Sequence, residues 1–298
     1  MKVRVIVNRH GGTLKASKHD AEAPLRKAFA AAGVEAEIRL TEPEDLDEAL
    51  GEAAEASGLD AVVAAGGDGT LSCAAGHLAG TDRPLGILPL GTLNHLARDA
   101  GIPTELDEAA AVIAAGHVRA IDLAEVNGRI FVNNSSVGLY PHMVRLREAE
   151  QERTGRGKRL AMLSASLATL RHFRRHRLWI SAEGIEAPIH TPLLFVGNNR
   201  YEVNLFGLGK REALDAGELC IYAIRARSRI GMVWAGIRGV FGRLDQQRDF
   251  VTAYVTEAEV SSERDSLTIS ADGETVRMEM PLRYRILPRA LKLIVPAR

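Results

Sequence analysis

The chain has 298 residues, 46% hydrophobic and 26% charged, which excludes a disordered or collagen-like polypeptide and favours two domains of roughly 120 to 180 residues. Lys plus Arg equals Asp plus Glu at 38 each, so the formal charge is zero and no nucleic-acid partner is expected. Two cysteines, Cys73 and Cys220, are too few for a disulfide scaffold or a four-thiolate zinc site, and their apolar neighbours suggest reduced core residues of a cytoplasmic protein.

Val3 to Val7 is an apolar, β-branched run and predicts a buried strand, with no apolar segment long enough for a signal peptide. A helix is expected from about Lys18 to Ala32, closed by Gly33, then a strand from Val34 to Leu40. Thr41, with Glu44 three residues on, suits the N-cap of a helix opened by Pro43 and running to about Ala56. Leu59 to Ala65 and Leu85 to Leu88 are further strands. Strands alternating with helices predict an α/β doubly wound parallel sheet.

After about Gly116 the pattern changes. Val118–Val126, Arg129–Val137, Arg177–Ala182, Ile189–Gly197, Leu219–Ile224, Phe250–Val255, Glu257–Ser262, Leu267–Ser270 and Thr275–Met280 read as strands in hairpin order. Asn127-Gly128 is a strong hairpin signal. The second half is therefore expected to be an antiparallel β-sandwich, interrupted by helices over about Leu139–Phe173 and Ile230–Leu244. The expected boundaries are 1–117 for the α/β domain, completed by 288–298, and 118–287 for the β domain, with a tight hinge between them.

Charge is unevenly placed. Residues 31–60 hold ten acidic groups against Arg39, whereas residues 141–180 hold ten basic groups against three acidic ones, and 221–248 hold six against one. Leu160, Leu163, Leu167 and Leu170, followed by Arg171, Arg174, Arg175 and Arg177, form a basic amphipathic stretch suited to an anionic bilayer surface. A peripherally membrane-associated protein is the expectation. His172 and His176, at i and i+4, lack an evident third ligand and belong with the basic face.

The string Gly66-Gly67-Asp68-Gly69-Thr70-Leu71 follows a strand directly. Glycines at a strand-to-helix junction let backbone N–H groups approach a phosphate, and the helix start favours the anion. It is neither a Walker A loop nor a dinucleotide fingerprint. A second turn, Gly91-Thr92-Leu93-Asn94-His95-Leu96-Ala97-Arg98, follows another strand. In a parallel sheet both turns lie at the carboxyl edge, where ligands bind. Near the C-terminus, Asp272-Gly273-Glu274 brings two acids and a turn signal together.

In this order and spacing, the three motifs resemble those of the diacylglycerol kinase catalytic-domain family, which includes soluble bacterial lipid kinases and the sphingosine and ceramide kinases. The resemblance covers nearly the whole chain. It implies an α/β nucleotide domain paired with a β-rich domain, and transfer of the γ-phosphoryl group of ATP to a lipid hydroxyl with Mg2+ as cofactor. Diacylglycerol is the default acceptor, and a homodimer is compatible with the family.

Carried over by position, it implies that Asn8, Gly11, Gly12, Thr41, Gly66, Gly67, Asp68, Gly69, Thr70, Leu71, Thr92 and Asn94 line the nucleotide. It implies that Asp272 or Glu274 takes the hydroxyl proton, Asp272 being favoured, and that Asp215 is the remaining candidate for an accessory magnesium site, with Asp122 nearby in that network.

Three departures stand out: Asn8-Arg9-His10-Gly11-Gly12 replaces the usual Asn-Pro string, His95 replaces an Asp, and Asp215-Ala216-Gly217 replaces Asp-Asp-Gly. The rival readings are an NAD kinase-like enzyme, whose Asn-Glu pair would fall at Asn198-Asn199, and a non-catalytic lipid-binding relative.

Overall fold

The computed structural model describes residues 1–10, 22–138, 176–204, 207–211, 213–224 and 250–297. Gly11, Gly12, the start of the first helix and both helical interruptions of the β-rich half, with Arg174 and Arg175, lie outside them.

The N-terminal half builds β1 (Lys2–Asn8), α1 (Glu22–Ala31), β2 (Glu35–Thr41), α2 (Leu46–Glu55), β3 (Ala61–Gly66), α3 (Asp68–Leu78), β4 (Leu85–Pro89), α4 (His95–Asp99) and α5 (Leu106–Ala115). The four strands are parallel in the order β2-β1-β3-β4. β3 and β4 are buried along their whole length, as expected of strands covered on both faces. Helices seal those faces with apolar stripes, Leu46, Ala49, Leu50 and Ala53 on α2 and Leu71, Ala74, Ala75 and Leu78 on α3.

The second half contributes β5 (Val118–Val126), β6 (Arg129–Phe131), β7 (Asn134–Gly138), β8 (His176–Ala182), β9 (Ile185–Thr191), β10 (Leu193–Asn198), β11 (Tyr201–Asn204) and β12 (Gly207–Arg211). It continues with β13 (Leu219–Ile224), β14 (Phe250–Val255), β15 (Glu257–Ser262), β16 (Ser266–Ala271), β17 (Glu274–Glu279) and β18 (Leu282–Ile294). An antiparallel sheet, β14-β13-β10-β7-β16-β17, packs on the far part of the first sheet around Val126, Phe131, Leu178, Ile221, Ile269 and Tyr284. The expected sandwich is present.

The two halves share a sheet. The thirteen-residue β18 pairs antiparallel with β15 and β5, then runs parallel beside β4 through Leu293 and Leu85. A bulge between Leu287 and Leu291, with Arg289 at φ 53°, lets one strand serve both parts. A ten-stranded sheet thus crosses the junction between the two halves.

Three local expectations are corrected. Thr41 is the last residue of β2 and buried, not an N-cap; Glu42 and Asp45 occupy the cap positions of the Pro43–Asp45 turn and α2. The single strand expected over Arg129–Val137 breaks at Val132 and Asn133, because the N–H groups there turn toward Asp272. The strand expected over Ile189–Gly197 divides around Pro192, where the Thr191 hydroxyl donates to the Leu193 carbonyl.

Candidate active site

The first glycine turn joins β3 to α3. Thr70 is buried, and its hydroxyl accepts a hydrogen bond from the Asn8 carboxamide at 3.1 Å, tying the end of β1 to the start of α3. A side chain on Gly66 would run into that threonine. The second turn meets the first backbone to backbone: a methyl group on Gly91 would be driven into the Gly67 Cα. The two glycine strings therefore form one packed edge beyond the carboxyl ends of β3 and β4. No side chain caps the amino end of α3, which leaves its first N–H groups and dipole for an anion.

Within this edge the predicted residues take different parts. Asn94, in the left-handed region at φ 48°, donates to the carbonyls of Pro89 and Gly91 and accepts from the Gly91 N–H at 3.0 Å. Its carboxamide shapes the second turn. Leu71 is a core residue with its N–H bonded to the Gly67 carbonyl. Asp68 stands between the turns, its carboxylate 3.5 Å from the Leu96 N–H, and Thr92 is exposed. Thr41 lies in register beside Asn8, its buried hydroxyl without a hydrogen-bond partner among the described residues. Arg9 and His10 face Glu42, at 3.1 Å and 3.5 Å.

The C-terminal motif folds onto this edge. Asp272 and Gly273 have φ values of 47° and 87° and turn β16 into β17, as the Asn127-Gly128 pair does between β5 and β6. The Asp272 carboxylate accepts the N–H groups of Val132 (2.6 Å), Asn133 (2.8 Å) and Asn134 (3.0 Å), and the hydroxyl of Ser72 on α3. Burial pushes this carboxyl above its ordinary value, against the opposing pull of those four donors. Glu274 leans over α3: a Cβ on Gly69 would lie 3.2 Å from its Oε1, while its Oε2 accepts from Arg129 at 2.6 Å.

The 132–134 loop is held from behind by residues that motif reading passed over. The Val132 carbonyl accepts from Asn198 Nδ2 (2.8 Å) and Arg211 Nη1 (2.7 Å), and the Asn133 carbonyl from the Tyr201 hydroxyl (3.0 Å). Arg211 also pairs with Asp99 at the end of α4 at 2.8 Å, with side chains 1% and 2% exposed. A buried cation thus links the helix after the second glycine turn to the loop holding Asp272. The signal available in the sequence was a lone arginine at the end of an apolar, glycine-rich strand, which carries no motif.

Asp215 is partnered by Arg119 at 2.6 Å. Asp122 is buried, its two oxygens accepting the N–H groups of Gly217 (2.7 Å) and Arg289 (2.8 Å). Among the described residues neither belongs to a group of three metal-ligating side chains. Asn198 and Asn199 are also engaged internally, Asn199 accepting from the Ala216 N–H at 3.0 Å.

The family model for the diacylglycerol kinase catalytic domain matches residues 2–126. A Pseudomonas aeruginosa protein named "Probable lipid kinase YegS-like" is 30% identical over 305 residues, covering 99% of this chain and 95% of its own. A namesake from Pseudomonas savastanoi pv. phaseolicola is 31% identical over 299 residues, covering 99% and 94%. The crystal structure of a diacylglycerol kinase from Bacillus anthracis str. Sterne superposes with a TM-score of 0.70 over 99% of this chain and 97% of its own, at 22% identity, a likeness of fold. With its glycine edge, its folded-back acidic turn and full-length relatives of this kind, the chain belongs to the lipid kinase family that carries the diacylglycerol kinase catalytic domain.

Proposed function

We propose that the protein transfers the γ-phosphoryl group of ATP to the hydroxyl of a membrane lipid, with diacylglycerol as acceptor and phosphatidic acid as product. One observation carries this reading: two carboxylates, Asp272 and Glu274, are held against the first turns of an uncapped helix that opens a double glycine edge. Such an edge suits an anionic phosphate chain, and a carboxylate above it suits an incoming alcohol.

In the proposed step the lipid oxygen attacks the γ-phosphorus, the bond to the β-phosphate oxygen breaks, and ADP leaves. Asp272 takes the hydroxyl proton. Burial raises its proton affinity and four hydrogen bonds fix its direction, whereas Glu274 is tied to Arg129. The Ser72 hydroxyl donates to Asp272 from α3, and an alcohol arriving on that side would take its place as donor.

Magnesium would enter on the nucleotide, because the described residues supply single carboxylates at the edge, Asp68 foremost, and not a full oxygen cage. Bound there, it would neutralise charge on the phosphates. Contact with an anionic membrane surface remains part of this proposal; among the described residues no helix is long and apolar enough to cross a bilayer.

The test is transfer of labelled γ-phosphate from magnesium and ATP to mixed micelles of diacylglycerol, ceramide, sphingosine or phosphatidylglycerol, with NAD as a further acceptor. Labelled phosphatidic acid is the expected product. Label on another lipid would replace the acceptor, and no label on any of them, with ATP still bound, would replace the enzyme by a lipid-binding relative.

A further inference from the structure

We propose that Asp47, Cys73 and His77 form a zinc-binding site on the outer side of α2 and α3, remote in chemistry from the kinase reading and independent of it. Their ligand atoms lie within 4.8 Å of one another. Asp47 Oδ1 is 2.9 Å from His77 Nε2 and 3.4 Å from Cys73 Sγ. Zinc takes tetrahedral thiolate, imidazole and carboxylate ligands at about 2.0–2.3 Å, so sub-ångström to ångström adjustments of one exposed and two half-buried side chains close the set.

Several features go beyond what a surface ion pair requires. Asp47 and His77 alone would make the pair, with side chains 82% and 30% exposed. The third donor is a soft thiol, placed one helical turn before the histidine on the same face of α3 and turned to the same carboxylate oxygen. The imidazole is laid along α2 at Gly51, where a Cβ would come within 3.2 Å of the ring, so the missing side chain makes room for it. The surrounding field also favours a cation, since α2 carries Asp47, Glu48, Glu52 and Glu55 and no basic residue.

The donor set names the metal class. A thiolate and an imidazole select zinc and its borderline-soft neighbours and discriminate against magnesium, which demands oxygen ligands. Three protein ligands leave a fourth position for water. On binding, a sulfur–zinc bond forms and the thiol proton leaves to solvent. The ion would tie α2 to α3, the helix that opens the first glycine turn and whose Ser72 touches Asp272.

The test uses the full chain, stripped with a chelator, exchanged into metal-free buffer with a phosphine reductant, and titrated with cobalt(II) and then zinc(II). The expected result is a near-ultraviolet thiolate-to-cobalt charge-transfer band that saturates at one equivalent and is bleached by one equivalent of zinc. Cys73→Ser should abolish the band, Cys220→Ser should keep it, and His77→Gln should weaken cobalt binding at least about tenfold. Absence of the band in the wild type would overturn the site. So would a band that survives Cys73→Ser or is indifferent to His77→Gln. The wild-type titration stands whether or not a variant folds.

Discussion

Asp122 and Asp272 are held in much the same manner, each with its carboxylate among backbone N–H groups contributed by distant parts of the chain. Asp122 binds Gly217 at 2.7 Å and Arg289 at 2.8 Å, stitching the start of β5 to the segment before β13 and to the bulge of β18. Asp272 binds three successive N–H groups of the β6–β7 loop and adds a hydroxyl from α3. The bonding device is shared, and the surroundings separate the two. Asp122 is sealed between strands, 1% exposed, with backbone on both sides. Asp272 is half-buried on a hairpin tip that meets the helix behind the first glycine turn. What separates a candidate site aspartate from a structural one here is what it faces, not how it is bonded.

The comparison can be broken most severely at Asp272. Asp272→Asn should lower kcat for phosphoryl transfer by about 10²- to 10⁴-fold, the range for loss of a general base, measured with labelled ATP. It should also cost stability, because a carboxamide nitrogen would face backbone N–H donors.

Next comes Arg211→Met, which leaves the Asp99 carboxylate buried beside an uncompensated loop and should cost about 3–5 kcal/mol in urea unfolding. Arg211→Lys should recover part of this loss without restoring the paired bonds to Val132 and Asn133.

Asp122→Ala should cost about 1–3 kcal/mol for each orphaned N–H, with kcat of the folded fraction near the wild-type value. A kcat loss as large as that of Asp272→Asn would erase the distinction between the two aspartates.

Glycines give the smallest and sharpest contrast. Gly91→Ala should destabilise by about 1–3 kcal/mol, since the two turns touch through their backbones. Gly76→Ala, exposed on α3 with open space around it, should stabilise by about 0.5–1 kcal/mol. Thermal unfolding distinguishes the signs.

Much of this architecture was legible in the residues. Of the parallel strands, β1 and β3 announced themselves as β-branched and alanine runs, and the hairpin tips as Asn127-Gly128 and Asp272-Gly273, because local sterics decide both. The glycine strings marked the ligand edge for the same reason. What escaped was non-local. β18 alternates arginine with apolar residues and contains Pro288, so nothing local shows that it joins two sheet regions. The break at Val132 and Asn133 is fixed by a carboxylate 140 positions away in sequence, which the local Asn133-Asn134 pair does not disclose. Arg211, Asn198 and Tyr201 matter through the carbonyls they hold, which no spacing rule encodes. Conversely, Leu71 and Asn94 belong to recognisable motifs but serve the core and the turn.

The most direct test of Asp272 as base is the pH dependence of kcat/KM for lipid phosphorylation. A base must be unprotonated to act, and burial holds this carboxyl above its ordinary value, so activity should fall on acidification with a midpoint above the usual carboxylate figure of about 4. The residual activity of Asp272→Asn should lack that limb, while Glu274→Gln should keep it. An unchanged limb in Asp272→Asn, or one abolished only in Glu274→Gln, would contradict the assignment and move the base to Glu274.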